Sequence, residues 1–220
     1  MAASSTKPAS SPKPKGKGLR RRKQVKRSRA LNTPLTPKSV KYFEKRPYRP
    51  GLHGRRRRTA SDYSVRLHQK QLLREQYFIS EKQMRRAFDD AVRMEGKTGD
   101  NLVAVLESRL DATVLRAGFA RTIYQARQMV SHRHFTVNGQ RVNIPSYRLE
   151  PGDVVQVHET SRTKDPLVLA SQGAYAGEGV GVSYLDVQRE SVRLVVLRAP
   201  AREEVPVICE VQLVVEYYSR

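Results

Sequence analysis

Between Gly118 and Val142 the chain reads GFARTIYQARQMVSHRHFTVNGQRV, a run rich in side chains that grip polyanions. Arg121, Arg127, Arg133 and Arg141 carry fixed positive charge. Gln125, Gln128 and Asn138 add amides, Thr122 and Tyr124 hydroxyls, and His132 and His134 rings. Phosphate oxygens and ribose 2′-hydroxyls are natural partners for such a set, recognised by shape more than by base sequence. Residue types alone leave a second reading equally open, an ordinary polar surface. A second concentration lies upstream in YFEKRPYRPGLHGRRRRTASDY, where Lys45, Arg46, Arg49, Arg55, Arg56, Arg57 and Arg58 alternate with Tyr42, Phe43, Tyr48 and His53. Pro47 and Pro50 impose extended backbone, while Gly51 and Gly54 permit tight turning. Cations interleaved with stacking rings in a stiff loop suit structured RNA.

The charge balance points the same way. The 220 residues hold 42 Lys+Arg against 21 Asp+Glu, a net charge of +21. Residues 1–60 contain 20 of those bases and a single acid, Glu44, whereas the remaining 160 residues are nearly neutral. A basic arm on a neutral body suits a polyanionic partner, since phosphate neutralisation releases counterions. A membrane surface is the rival partner, but the arm has few apolar residues with which to anchor. Residues 1 to about 40 read as a disordered arm: low in apolar groups, punctuated by Pro and Gly, with Arg21, Arg22, Lys26, Arg27 and Arg29 in a run that has no apolar face.

The body must position these groups. Ser61 or Asp62 starts a helix running to about Gln76, with Val65, Leu72, Leu73 and Tyr77 as a partial apolar face and Arg74 as a further candidate RNA contact. Ser80 and Gln83 form a capping box for the next helix, which places Met84, Phe88, Ala91 and Met94 on one side and ends at Gly96. Asp100 opens a third, whose Leu102, Leu106, Leu110, Val114 and Ala117 make a core stripe closed by Gly118. Thr122 caps a fourth, with Ile123, Ala126 and Val130 facing inward and Tyr124, Arg127, Gln128 and Ser131 on the neighbouring face. From Phe135 the period falls to two. Asn138-Gly139 gives a tight hairpin turn, and DVVQV follows as a strand after Pro151-Gly152. SVRLVVL reads as a further strand, and VQLVVEYYSR fits alternation or a helical turn equally well.

One Cys, Cys209, permits no intrachain disulfide and fits a reducing compartment. MAASSTKPASSPKPKGKG lacks the apolar segment of a secretory signal, and its Pro and Gly disfavour an amphipathic transit helix. No apolar run approaches the roughly 20 residues of a membrane span. An intracellular protein without cofactor or metal is expected, because His132 and His134 alone make a poor metal site.

The stretch ESRLDATVLRAGFARTIYQARQMVSHRHFTVNGQRVNIPSYRLEPGDVV resembles the small RNA-binding αL-type domain found in small-subunit ribosomal protein four and several other proteins. The flanking EKRPYRPGLHG, SDYSVRLHQKQLLREQY, GKTGDNL and EYYSR resemble the ribosomal protein four family itself, over about residues 40–220. The resemblance implies an α+β fold: a mainly helical first lobe from 41–99 and 161–220, with a helix pair and small antiparallel sheet inserted as residues 100–160. It implies that the C-terminal ambiguity resolves as helix. It further implies binding of a multi-helix junction of small-subunit ribosomal RNA during assembly, one patch on the first lobe at Arg46, Tyr48, His53 and Arg55 to Arg58. The other would be on the inserted module at Thr122, Tyr124, Arg127, Gln128, His132 and Arg133. Contacts with ribosomal protein five and with messenger RNA where it enters the subunit follow by analogy, as does a cytoplasmic ribosomal location, with an organellar ribosome as the alternative. Many relatives carry an N-terminal cysteine cluster for zinc; with no Cys before Cys209, this chain lacks that site.

Three other activities compete. SRLDATVLRAG superficially resembles the catalytic motif of pseudouridine synthases and singles out Asp111. Yet Asp111 follows Leu110 inside an amphipathic helix, and the roughly 60 residues after Thr160 are too few for a typical catalytic domain. GKT at Gly96–Thr98 is no phosphate loop, because the earlier Gly it needs is Ala91 and a helix precedes it. A free-standing assembly or rescue factor would not need the RPYRPGLHG loop or the terminal EYYSR, and both are present.

Overall fold

Ser61, Ser80 and Thr122 each begin a helix, and those caps set the spacing of the body. The computed structural model describes residues 23–56, 59–175 and 181–219. Its helices are α1 (Gln24–Ala30), α2 (Pro37–Lys45), α3 (Asp62–Gln76), α4 (Glu81–Arg93), α5 (Thr98–Glu107), α6 (Leu110–Arg116), α7 (Ile123–Ser131), α8 (Asp165–Ser171) and α9 (Val211–Tyr218). Strands β1 (Phe135–Val137), β2 (Gln140–Arg141) and β3 (Val154–Val157) precede α8, and β4 (Leu185–Gln188) and β5 (Arg193–Val196) follow it. The fold is α+β. Ser61 Oγ accepts from Ser64 N at 3.4 Å, and Thr122 Oγ1 accepts from Gln125 N at 3.3 Å. The Ser80/Gln83 box is reciprocal, with Gln83 N donating to Ser80 Oγ and Ser80 N to Gln83 Oε1.

The helical core gathers Leu73, Ile79, Met84, Phe88, Ala91, Leu102 and Leu106, all buried. The C-terminal segment is helical and packs against α3 and α5. Val211, Val214 and Tyr218 point inward, Tyr218 stacks on Phe88 at 4.9 Å, and Gly99 leaves room for Val211, whose Cγ1 would lie 3.3 Å from an added Cβ. The five strands form one antiparallel sheet in the order β2-β1-β3-β5-β4. Phe135 sits opposite Val157, Val137 opposite Val155, and Val155 opposite Leu194, all of them buried, with Phe135 stacked on Phe119. The Asn138-Gly139 turn has positive φ at both positions, 49° and 83°.

Several expectations change. The run expected as part of a disordered arm is helical from Gln24 to Ala30 and again from Pro37 to Lys45, with Ser28 and Leu31 buried; residues 1–22 lie outside the described residues. Tyr42 and Phe43 consequently belong to α2 and not to the stiff loop after it. The helix expected from Asp100 to Ala117 is two helices. Arg109 is extended (ψ 137°), and the first amides of α6 donate outside it, Leu110 N to Tyr147 O at 2.8 Å and Asp111 N to Pro145 O at 3.2 Å. The segment 145–149 thus takes the amides that a continuous helix would bond internally. Asp111 therefore stands in the first turn of a helix, not in its middle. Val65 and Met94, expected in apolar faces, are exposed, because α3 is uncovered at its start and α4 ends at Arg93. β4 and β5 extend the sheet expected to close by residue 160, so part of the C-terminal third joins the inserted module. Of the Gly-rich stretch, residues 176–180 lie outside the described residues.

Candidate nucleic-acid interface

Two basic surfaces emerge. The first is built around the loop between α2 and α3. Gly51 turns at φ 110°, and a Cβ on Gly54 would overlap the Arg49 carbonyl oxygen, so the loop closes tightly on itself. Arg29, from α1, donates to the carbonyls of Arg46, Tyr48 and Arg49 at 2.9–3.4 Å, and its guanidinium lies 5.1 Å from the Tyr48 ring centre. Arg55 covers Tyr48 at 4.7 Å, and its hydrogen bond lowers the pKa of the Tyr48 hydroxyl. Lys26, Lys45, Arg46, Arg49, His53, Arg55 and Arg56 are exposed. Arg21, Arg22, Arg57 and Arg58 lie outside the described residues.

Two clefts open on this surface. One, of about 520 Å³, runs between α1 and α3 and is lined by Lys23, Lys26, Arg27 and Arg74 over Glu75. The other, of about 630 Å³, sits at the N-terminus of α3 among Arg49, Arg56, Ser61, Ser64 and His68. Cationic side chains beside a helix N-terminus favour anions. Burial first, then the charge of Arg49, lowers the pKa of His68. Arg27 and Arg74 are less available than their types suggest. Arg27 pairs with Glu75, and Arg74 bridges Glu75 and Glu81, at 3.4 and 2.9 Å.

The second surface runs over α7 and the hairpin. Arg121, Gln128, His132, Arg133 and Arg141 are exposed, and Arg133 adopts φ 61° as α7 ends. Gln125 Oε1 accepts from Arg121 N at 2.9 Å, which ties the approach to α7 down. His134 Nδ1 lies 2.9 Å from Ser161 Oγ, and burial, then Lys164 and His132, lowers its pKa. The imidazoles of His132 and His134 stand 6.0 Å apart. Arg141 Nη2 reaches His158 Nδ1 at 2.6 Å and Thr160 Oγ1 at 3.1 Å. Exposed Arg162 and Lys164, just beyond, extend this surface; their sequence signal is the basic SRTK three residues past a strand.

Three candidates are engaged within the chain instead. Arg127 was expected to project outward, but it donates to the Phe78 carbonyl at 3.0 Å and approaches Asp111 Oδ2 at 3.6 Å. Tyr124 packs its ring 4.2 Å from that of Phe78. Asn138 holds the hairpin, donating to Asp153 Oδ1 at 2.8 Å and accepting from Val154 N at 2.9 Å.

Beneath the second surface lies a buried polar lock, reached from α7 through Arg127. Glu107, with no exposed side-chain surface, accepts from Tyr77 Oη at 2.6 Å, Tyr184 Oη at 3.2 Å and the Arg116 fork at 2.7–3.1 Å. Asp111, likewise sealed, takes a bidentate pair from Arg109 at 2.9 and 2.7 Å. Burial raises the pKa of Asp111, opposed by Arg109 and Arg127. A carboxylate so enclosed has no access to a base, which argues against the synthase reading of SRLDATVLRAG. Among the described residues no cluster of three His, Cys, Asp or Glu could hold a metal, and no helix is long and apolar enough to cross a membrane.

Comparison with known proteins agrees with this architecture. Residues 108–155 match the S4 domain, and residues 14–107 match the ribosomal protein S4/S9 N-terminal domain. The small ribosomal subunit protein uS4 of Streptomyces griseus is 58% identical over 199 residues, 90% of this chain and 98% of that protein. The chain belongs to the ribosomal protein S4 family. Other members bear this out: the uS4 proteins of Beutenbergia cavernae and Micrococcus luteus are 58% and 56% identical over 203 and 204 residues, with 98% of each covered. The family boundary at 107/108 falls at the break between α5 and α6, where Arg109 leaves the helix.

Proposed function

We propose that this chain is a structural constituent of the small ribosomal subunit that binds small-subunit ribosomal RNA directly. Family membership carries the reading, and the two basic surfaces supply its physics. The first surface, at Arg46, Arg49, His53, Arg55 and Arg56, reads phosphate along a stiff loop. The second, at Arg121, Gln128, His132, Arg133 and Arg141, reads phosphate and 2′-hydroxyls by shape. Two lobes, residues 41–99 with the C-terminal helix and a module centred on 100–160, present them at a fixed mutual angle, so the protein holds a multi-helix RNA junction during assembly. Neighbouring contacts, with ribosomal protein five and with messenger RNA at its point of entrance, complete the reading, as does a cytoplasmic ribosome. No catalysis is needed: binding and geometry are the activity.

The test begins with native ribosomal particles washed in moderately high salt and read by mass spectrometry. Stoichiometric presence in mature small subunits is expected; presence only on precursors or stalled particles would make the chain an assembly or rescue factor. In vitro, changing Arg55–Arg58 to Ala should flatten the salt dependence of RNA binding by about 0.7–0.9 per lost phosphate contact. An unchanged slope would remove those arginines from the interface.

A further inference from the structure

We infer that Arg29 is a positioning residue: it folds the RNA-binding loop before RNA arrives instead of contacting phosphate. The inference rests on the RNA-binding reading above. The loop's own backbone bonds, Gly54 N to Gly51 O at 3.3 Å and Arg56 N to His53 O at 3.1 Å, lie in its second half and leave its start unheld. Pro47 and Pro50 carry no N–H, and the carbonyls of Arg46, Tyr48 and Arg49 receive no backbone donor among the described residues. Backbone carbonyls left without partners disfavour a single conformation. Arg29 supplies what is missing. Its Nε serves Arg46 O and Tyr48 O at 3.1 Å each, and its Nη2 serves Tyr48 O at 2.9 Å and Arg49 O at 3.4 Å.

The same guanidinium lies against the Tyr48 ring, opposite in sequence to Arg55, which covers that ring from the loop itself. One planar fork from α1 therefore fixes three carbonyls and one aromatic side chain. Helix α1 is in turn docked on α3 through Arg27 and Glu75, so the fork is anchored to the core. A short basic helix, in a run that reads as a phosphate-seeking arm, thus does internal work. Ordering the loop in advance removes an entropic cost from binding, which raises affinity without adding a contact.

Lysine separates the two roles. It keeps the charge that a phosphate contact needs but lacks the planar fork that spans several carbonyls. In Arg29→Lys, the hydrogen-bonded loop amides of Gly54 and Arg56 should exchange with solvent at least about tenfold faster in the RNA-free protein. Affinity for a transcript of full-length small-subunit ribosomal RNA should fall about tenfold, while the slope of log affinity against log salt stays at the wild-type value. Arg56→Ala should show the converse, a reduced slope with unchanged exchange of the Gly54 amide. Arg29→Gln, which removes charge and fork together, should match Arg29→Lys in exchange and salt slope.

Wild-type exchange in Arg29→Lys, or affinity retained in Arg29→Lys with a reduced slope in Arg29→Gln, would overturn the inference and return Arg29 to the phosphate contacts. Absence of salt-dependent RNA binding by the wild-type chain would instead sink the functional reading. The exchange data in free protein would still decide whether Arg29 orders the loop. Thermal unfolding of each variant separates a local loosening from loss of the fold.

Discussion

Glu107→Gln should be among the most damaging conservative changes available in this chain. The carboxylate is sealed from solvent and accepts hydrogen bonds from three distant sources: Tyr77 at the end of α3, Arg116 on α6, and Tyr184 before β4. Glutamine has the same shape, but one of its two positions becomes an NH2 that confronts either the Arg116 fork or a tyrosine hydroxyl. The Arg116 side chain, only 15% exposed, is left as an uncompensated buried charge. Breaking one partner of a buried pair costs about 3–5 kcal/mol. Against a total stability of roughly 5–15 kcal/mol, that is a large fraction. For a chain of this size each kcal/mol moves the thermal midpoint by about 2–4 °C, so a fall of roughly 6–20 °C is expected by circular dichroism. The double variant Glu107→Leu/Arg116→Leu removes both charges and should recover part of that loss, since replacing a whole pair by apolar groups is often near neutral. A midpoint within about 2 °C of wild type for Glu107→Gln would refute the reasoning, because the lock would then contribute too little to hold the α3 end, α6 and the segment before β4 together.

Asp111→Asn should also destabilise by about 3–5 kcal/mol, because Arg109 loses its bidentate partner in a site without solvent, which urea unfolding checks; no RNA-modifying activity should be lost, which an assay of the purified variant on ribosomal RNA checks. Gly54→Ala must open the loop against the Arg49 carbonyl, so RNA affinity in a filter assay should fall while the midpoint of unfolding barely moves. Glu81 supplies a pH signature. Burial works to raise its pKa, but hydrogen bonds from Lys70, Tyr218 and Arg74 outweigh it and hold the value below the ordinary 4.5. A depressed acid stabilises the fold fully above its unfolded value and loses that contribution as pH falls through the folded one. The docking of α9 on α4 should therefore loosen below pH 4.5, and Glu81→Gln should flatten that acid limb in a tyrosine-fluorescence titration.

Much of the fold was legible because it is encoded locally. Ser61, the Ser80/Gln83 box and Thr122 mark helix starts through hydrogen bonds that span three residues. Asn138-Gly139 marks its hairpin because both positions need positive φ. Leu102, Leu106, Leu110, Val114 and Ala117 are all buried, as their spacing implied, although the helix carrying them breaks. The break was hidden because the carbonyls that take the amides of Leu110 and Asp111 come from Pro145 and Tyr147, more than thirty residues away. Helix α1 was hidden for a similar reason: its run has no apolar stripe, and its anchors, Glu75 and the carbonyls of 46–49, are tertiary. β4 is short and carries exposed Asp186 and Gln188, so its pattern is weak.

The candidate interface divides along the same line. The sequence by itself determined the segregation of charge, the stiff loop of rings and arginines, and the family-bearing run around Gly118–Val142, since each is a matter of residue type and spacing. Which cations remain available was decided by the tertiary structure alone. Arg27, Arg29, Arg74 and Arg127 carry the same group as Arg55 and Arg133, yet Glu75, three loop carbonyls, Glu81 and the Phe78 carbonyl draw them inward. A guanidinium bonds whichever acceptors the fold brings within about 3 Å, and that proximity is a property of the packed chain.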